Sequence, residues 1–160
     1  MLKLIGVCIL LFTSVLISRE LVARRRRRLA LCEELLRLVG FLRLQIGCFL
    51  RPIGDVISDF ESAEFSACGF LPSERYADPR QAFLDSDAPS IAGRECARIV
   101  DSLLSSLGTG YLDDEVKIID QHRAELCAAV EAERTETDRQ VRLIRTLTAS
   151  AAPGSVILII

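Results

Sequence analysis

The stretch that decides the fold is RRRRRLALCEELLRLVGFLRLQIGCFL, residues 24–50. After its arginines, apolar residues recur at steps of about three and four, which is the spacing of one face of an α-helix. They are Cys32, Leu35, Leu36, Val39, Leu42, Ile46 and Phe49. Pro52 should end this helix, because the residue before a proline is pushed away from helical geometry. The stretch predicts a helix with one apolar face.

Length and composition limit the fold to one small domain. The chain has 160 residues, of which 50% are hydrophobic and 6% aromatic, and its formal net charge is −2. It is too short for a doubly wound nucleotide-binding fold or a barrel between its apolar ends. Its aliphatic content is too high for a disordered chain. The mean hydropathy of +0.31 favours a small, helix-rich, membrane-associated protein.

The first apolar run covers residues 4–18 and contains no charge. With its flanking residues it approaches the roughly 20 residues that cross a bilayer as a helix. A cleaved signal peptide is the alternative, but it needs small residues at a cleavage site, and Arg19 and Glu20 follow the run instead. We predict an uncleaved transmembrane anchor over residues 1–23.

The second apolar run, residues 146–160, is also uncharged. As a helix it would cover about 22 Å of a hydrocarbon core that is about 30 Å thick. Pro153 would kink it. We predict a weak C-terminal transmembrane segment here, with a mobile tail or a segment packed in the core as the alternative. Residues 24–145 then form a helical domain.

Basic residues are concentrated beside the apolar runs. Residues 1–28 carry seven basic residues against Glu20, a net charge of +6, which leaves −8 for the rest of the chain. Basic flanks mark the cytosolic side of a span, so we expect the central domain in the cytosol. The acidic body argues against nucleic acid as a partner. The basic residues that should form a membrane collar and contact anionic lipid are Arg24, Arg25, Arg26, Arg27 and Arg28.

The sequence contains no motif of catalytic or metal-binding chemistry. Its six cysteines are 16 to 31 residues apart, and one histidine, His122, cannot complete a zinc site with them. His122 and Cys127 are five residues apart, which is a poor spacing for a catalytic pair. We expect reduced structural thiols, no metal, no cofactor and no enzymatic activity. A thiol-dependent enzyme is the last alternative.

Turn residues divide the middle of the chain into shorter helices. Pro52 opens one helix, Asp78 caps a second, and Ser90 caps a third that Gly108 ends. The predicted helices cover residues 53–60, 79–84 and 91–107. Residues 61–90 give the weakest pattern, and no segment shows the alternation of a β-strand.

The last helix should be long, since residues 112–152 contain no glycine or proline. Apolar residues recur along it near a spacing of 3.5, with interruptions at Glu133 and Thr137. They are Val116, Ile119, Leu126, Val130, Val141, Ile144 and Leu147. We interpret residues 131–139 as a solvated face near the membrane, with a partner surface as the alternative. The pattern as a whole predicts an all-α, membrane-rooted antiparallel bundle.

Several stretches resemble the stage III sporulation protein AB family. They are MLKLIG at residues 1–6, the arginine collar, LCEELL at 31–36, Leu42-x-x-Gln45-Ile46-Gly47, Pro52-Ile53, Leu107-Gly108 before the long helix, and RLIRTL at 142–147. The resemblance covers nearly the whole chain in order and spacing. It implies a cytosolic domain similar to the platform proteins of type II secretion systems.

The resemblance also implies a function and partners. A protein of this family lies in the mother-cell membrane around the forespore, as a non-enzymatic subunit of the channel, or feeding-tube apparatus, needed for endospore formation. Its expected partners are a secretion-type ATPase of the sporulation locus, other channel subunits and the lipid bilayer, and a homo-oligomer is compatible with this role. The alternative function is a small membrane-anchored coiled-coil adaptor unrelated to secretion.

A partner contact is expected at the start of the long helix. Asp113, Asp114 and Glu115 lie at its membrane-distal end, where a cytosolic ATPase could reach them. The alternative role of these acids is to stabilise the positive end of the helix dipole. An adaptor would instead dimerise through residues 116–147.

Overall fold

The structure is a computed structural model, and it describes residues 2–49, 53–70, 78–108 and 112–157. These ranges contain helices and no strand, which confirms the prediction of an all-α protein. The helices are α1 (Leu2–Phe49), α2 (Ile53–Ser58), α3 (Ala63–Cys68), α4 (Pro79–Asp85), α5 (Ala88–Ala92), α6 (Arg94–Ser106) and α7 (Leu112–Ile157).

The apolar face of α1 is buried as its spacing predicts. Its core positions, each at most 3% exposed, are Leu31, Cys32, Leu35, Leu38, Val39, Leu42 and Ile46. The helix ends at Phe49, shortly before Pro52. Phe49, the last residue of the predicted apolar face, is 62% exposed. The packed face ends at Ile46, and Phe49 is the last residue of the helix.

Two short helices begin where proline and capping residues predict them. α2 covers Ile53–Ser58 and α4 covers Pro79–Asp85, close to the predicted ranges. Asp78 caps α4, because its Oδ1 accepts a hydrogen bond from the backbone N–H of Arg80 at 3.0 Å.

The helix α3 lies in the stretch whose sequence pattern was weakest. Ser62 caps it by accepting a hydrogen bond from the backbone N–H of Phe65 at 3.4 Å. Gly69 closes it with a left-handed φ of 73°. Six residues are too few for hydrophobic periodicity to identify a helix.

The single helix predicted over residues 91–107 is wrong, since the structure has two helices there. α5 ends at Ala92, α6 begins at Arg94, and Gly93 between them has φ 83° and ψ 164°. Only glycine adopts these angles without strain. α5 also begins at Ala88, before the predicted cap at Ser90, because Pro89 can occupy the first turn of a helix.

The buried face of α7 includes two polar residues. Thr137 is 3% exposed, and the side chain of Glu133 is 13% exposed. They follow Val130 and precede Val141 at helical steps of three and four, on the same face. The prediction that residues 131–139 form a solvated face is therefore wrong at these two positions.

The chain divides into two compact units. The terminal unit comprises Met1–Arg27 with Arg134–Ile160, and the central unit comprises Arg28–Glu133. In the central unit α6 packs against α4 and α5, α5 also packs against α3, and α2 packs against α4. The large hydrophobic cluster that forms its core draws residues from α1 through α7.

A row of phenylalanine rings connects the short helices of the central unit to α1. Neighbouring rings along the row lie 5.0 to 5.5 Å apart between centroids. The row runs Phe41, Phe60, Phe65, Phe70 and Phe83. Phe70 and Phe83 at its inner end are fully buried, so this row accounts for much of the large apolar surface that the unit removes from water.

Apolar side chains are exposed in the terminal unit. They are Phe12, Val15, Leu16, Ile17, Leu21 and Leu143. Within the described residues, no helix combines the length and the apolar character that a membrane crossing requires. The predicted spans, residues 1–23 and 146–160, include residues 1–11 and 147–160, whose side chains lie outside the described part of the chain.

Replacing Thr137 with valine is expected to stabilise the protein by about 1 kcal/mol. The Thr137 hydroxyl is buried, and no described residue forms a hydrogen bond with it. Valine keeps the shape and removes the desolvated hydroxyl. The measurement is the denaturant midpoint of the full-length chain, with the exposed Thr135→Val as the control. A loss of stability specific to Thr137→Val would contradict this account of the position.

Candidate functional site

The three acids predicted as a partner contact have different surroundings. Glu115 Oε1 accepts a hydrogen bond from the backbone N–H of Gly108 at 2.9 Å, which joins the first turn of α7 to the residues that follow α6. Asp114 forms an exposed ion pair with Lys117 at 3.4 Å. Asp113 is exposed at the start of α7. Asp113 and Asp114 therefore present their carboxylates to solvent, while Glu115 has a structural contact.

Arg28 has different surroundings from the other arginines of the predicted collar. Arg24 forms an exposed ion pair with Glu20 at 3.0 Å, one turn earlier on α1, and pairs of this kind contribute little stability. The Arg28 guanidinium instead lies 2.9 Å from Glu133 and fills the space beside Gly93. Arg28 belongs to the central unit, and the other four arginines belong to the terminal unit.

Bidentate ion pairs hold the helices of the central unit together. Arg43 on α1 contacts both carboxylate oxygens of Asp120 on α7, with one N–O distance of 3.2 Å. Arg80 on α4 contacts both oxygens of Asp101 on α6, at 2.6 and 3.2 Å. The hydrogen bonds from Arg43 hold the pKa of Asp120 below its ordinary value.

His122 contacts α6 and not Cys127. Its Nδ1 lies 2.9 Å from the carbonyl oxygen of Ile118, which can only accept, so Nδ1 carries the proton. Its Nε2 is then free to accept from the hydroxyl of Ser102 at 3.2 Å. Cys127 is exposed. The arrangement joins α6 to α7 and does not form the Cys–His pair of a thiol enzyme.

The cysteines whose side chains the structure describes are free thiols. They are Cys32, Cys68, Cys96 and Cys127. Cys32 and Cys96 are both buried, and the Cys32 thiol donates a hydrogen bond to the carbonyl oxygen of Ala92 at 3.4 Å. The neighbouring Cys96 side chain and burial together raise the pKa of the Cys32 thiol. Sequence patterns could not identify the pair, because the two residues lie on different helices.

A surface groove between α1 and the α2–α3 connection was not predicted. Its volume is about 730 Å³, and its lining is Glu33, Leu36, Arg37, Gly40, Phe41, Leu44, Asp59, Phe60, Glu61 and Arg123. Arg37 is fixed above the Phe60 ring at 5.0 Å and donates a hydrogen bond to the carbonyl oxygen of Glu61 at 3.3 Å. The groove is therefore lined by both apolar and charged side chains.

Neither metal binding nor similarity to known proteins assigns a function to these residues. Within the described ranges, no three His, Cys, Asp or Glu side chains are grouped to hold a metal ion. No family model, curated protein or solved structure matches the chain. Its function is therefore inferred from its own residues, its structure and the resemblance described above.

Proposed function

We propose that the chain is a membrane platform, a non-enzymatic assembly subunit of the channel between mother cell and forespore. The proposal rests on which segments of the chain make up the terminal unit. Both uncharged runs, residues 4–18 and 146–160, belong to it, although they stand at opposite ends of the sequence. Two apolar ends in one compact unit support a protein rooted twice in the same bilayer, with the central unit in the cytosol.

The order of the contacts between α1 and α7 supports an antiparallel bundle. Arg28 contacts Glu133, and further along α1 Arg43 contacts Asp120. Residue numbers thus rise on α1 while they fall on α7. Two long antiparallel helices, with the short helices packed alongside α1, are compatible with the architecture expected of a secretion-type platform domain.

The surface of the terminal unit supports contact with lipid. Apolar side chains at residues 12 and 15–17 of α1 are exposed, and because residues 15–17 are consecutive they cover more than one face of the helix. A helix that is apolar all round needs a buried or a membrane environment. The arginines at positions 24–27 then follow at the level of the lipid headgroups.

The packing of α7 favours the platform over the coiled-coil adaptor. The adaptor would dimerise through the apolar stripe of this helix. In the central unit that stripe is already buried by the chain itself, since Ile119, Leu126 and Val130 are at most 3% exposed. A homodimer through the same residues would first have to open the core. Its formation would therefore cost more free energy than dimerisation through a stripe that is already exposed.

The proposed ATPase contact is tested by reversing the charges of Asp113 and Asp114. Both are exposed, so Asp113→Lys with Asp114→Lys should leave the fold intact while Glu115 keeps its contact with Gly108. Like charges facing a partner's basic surface weaken association. We expect the amount of the locus-encoded secretion-type ATPase that co-purifies with the full-length chain to fall by about tenfold.

The matched control reverses two other exposed acids, Asp85 and Asp87, near the α4–α5 turn. This control changes the net charge equally and should retain the ATPase. If both double variants retained the ATPase equally, the ATPase would not bind at the start of α7. If both lost it equally, the loss would follow from the change in net charge and not from the position of the acids.

A further inference from the structure

The surface groove of the central unit follows one stripe of α1, between α7 and the α2–α3 connection. Its α1 residues recur at helical steps of three and four over residues 33–44, a length of about 16 Å along the helix axis. On one side the ring of Phe41 meets Phe60, and on the other Arg123 of α7 reaches Gly40. The groove therefore has the direction and the length of a short helix laid along α1.

Gly40 leaves space in this groove. It lies in the interior of α1, where glycine costs stability relative to alanine. Among the described residues, the nearest atom that a Cβ at Gly40 would meet is the Nε of Arg123, at 3.9 Å, which is an ordinary van der Waals contact. Unlike Gly93, Gly40 is therefore not required by the packing of the chain itself. The missing side chain leaves room for a group from outside the chain.

The apolar side chains of the groove are only partly covered by the chain. Leu36, Phe41 and Phe60 pack against the core with part of their surface accessible, and Leu44 is 51% exposed. Because the phenylalanine rings are held by the core, an apolar group could pack on them and on Leu44 without rearrangement of the central unit. Such packing would remove apolar surface from water.

The charges around the groove are mainly acidic. Three acids line it against two arginines. One of these arginines, Arg37, is already matched by Glu34 outside the lining, at an N–O distance of 3.3 Å. The α2–α3 side of the groove, residues 53–70, carries four acids and no basic residue. An acidic surface attracts lysine and arginine and repels acidic peptides and anionic lipid, so charge complementarity selects a basic occupant.

We propose that the groove is an interaction surface for a basic amphipathic helix of a partner protein. The apolar face of that helix packs on Leu44 and Phe41 and into the space at Gly40, and its lysines or arginines lie beside the acids of the groove. Asp113 and Asp114 do not line the groove. The surface is therefore a second contact, which does not depend on the proposed ATPase contact at the start of α7.

The test measures the binding of a designed peptide to the full-length protein in nanodiscs of zwitterionic lipid, with empty nanodiscs as the reference. The probe is a fluorescent peptide helix of about 15 residues, with leucines on one face and lysines on the other. A second peptide carries glutamate in place of lysine. We expect saturable binding of the lysine peptide that weakens as salt is added, and binding of the glutamate peptide that is weaker by about tenfold or more.

Two variants test whether the lysine peptide lies in the groove. Gly40→Leu fills its open space and Leu44→Ala removes an exposed apolar contact, so each should weaken binding by about fivefold or more without lowering the thermal midpoint. Leu84→Ala makes the matched change at a leucine outside the groove that is also 51% exposed, and it should bind as the wild type does. If Gly40→Leu lowers the thermal midpoint, the comparison of Leu44→Ala with Leu84→Ala decides alone.

Four results would overturn the proposal. They are a lysine peptide that does not bind, equal binding of the two peptides, unchanged binding by the two groove variants, and equal loss from Leu44→Ala and Leu84→Ala. Analytical ultracentrifugation of the full-length chain examines a different occupant. Self-association that Gly40→Leu abolishes would also overturn the proposal, because a second copy of the chain would then occupy the groove.

Discussion

Replacing Gly93 with alanine is expected to destabilise the central unit by about 2 to 4 kcal/mol. Gly93 has φ 83° and ψ 164°, which a residue with a side chain adopts only under strain. A Cβ built there would lie 2.5 Å from the Arg28 guanidinium. Alanine must therefore displace Arg28 and disturb its ion pair with Glu133. Chemical denaturation of the full-length protein measures the loss.

Gly69→Ala is the control for Gly93→Ala. Gly69 also has a positive φ, 73°, but no atom lies within 4 Å of the position of its Cβ. The substitution should cost only the left-handed backbone term, about 1 to 2 kcal/mol. A similar loss from both variants would show that neither the ψ of 164° at Gly93 nor the displacement of Arg28 adds to the cost of a positive φ.

Replacing Phe83 with alanine is expected to cost about 3 to 5 kcal/mol. Phe83 is fully buried, and its ring contacts Phe70 edge-on with the centroids 5.4 Å apart. The substitution removes a large apolar surface from the core and leaves a cavity at the inner end of the phenylalanine row. The free energy of unfolding, obtained from urea titration of the full-length chain, is the quantity to compare.

Phe49→Ala makes the same chemical change at an exposed position and serves as the control. It should change the free energy of unfolding by no more than about 0.5 kcal/mol. If Phe83→Ala proved as mild as Phe49→Ala, the row could not be the packed core of the central unit. A large loss from Phe49→Ala would show instead that this residue is covered in the protein as it exists.

Helices with local signals could be predicted from the sequence. The apolar steps of three and four identified the part of α1 that enters the core, and Asp78 before Pro79 identified the start of α4. These signals lie within a few residues of the structure they determine. The helix α3 also has local signals, the cap at Ser62 and the left-handed Gly69, but six residues show no hydrophobic periodicity and it was not predicted.

Features that depend on distant residues could not be predicted. The break between α5 and α6 follows from Gly93. The apolar residues on either side of Gly93 have the spacing of one continuous helix, so the sequence pattern did not show the break. Because Gly93 has no side chain, the Arg28 side chain from α1 fits beside it. Glu133 and Thr137 interrupt an apolar stripe in the sequence, yet both lie on the inward face of α7. Hydrophobic periodicity alone treats such positions as solvent-facing.

In the candidate site, too, features with a local sequence signal were predicted and features that depend on distant residues were not. The collar is a run of five arginines, and contacts with Glu133 and with the space beside Gly93 distinguish Arg28 from the other four. The acids at the start of α7 were identified by their helix-start position, but the contact of Glu115 with Gly108 depends on the turn before them. The groove and the thiol pair arise from tertiary packing and have no local signal.

The platform proposal is tested most directly in endospore-forming cells that encode this chain. Residues 24–160 are deleted at the native locus, and forespores are imaged through engulfment, with a full-length copy at a second locus as the control. The proposal predicts that forespores are engulfed normally and then shrink or stop developing, and that the full-length copy restores them. Normal spores from the deletion strain would contradict it, because a required channel subunit could not be lost without effect.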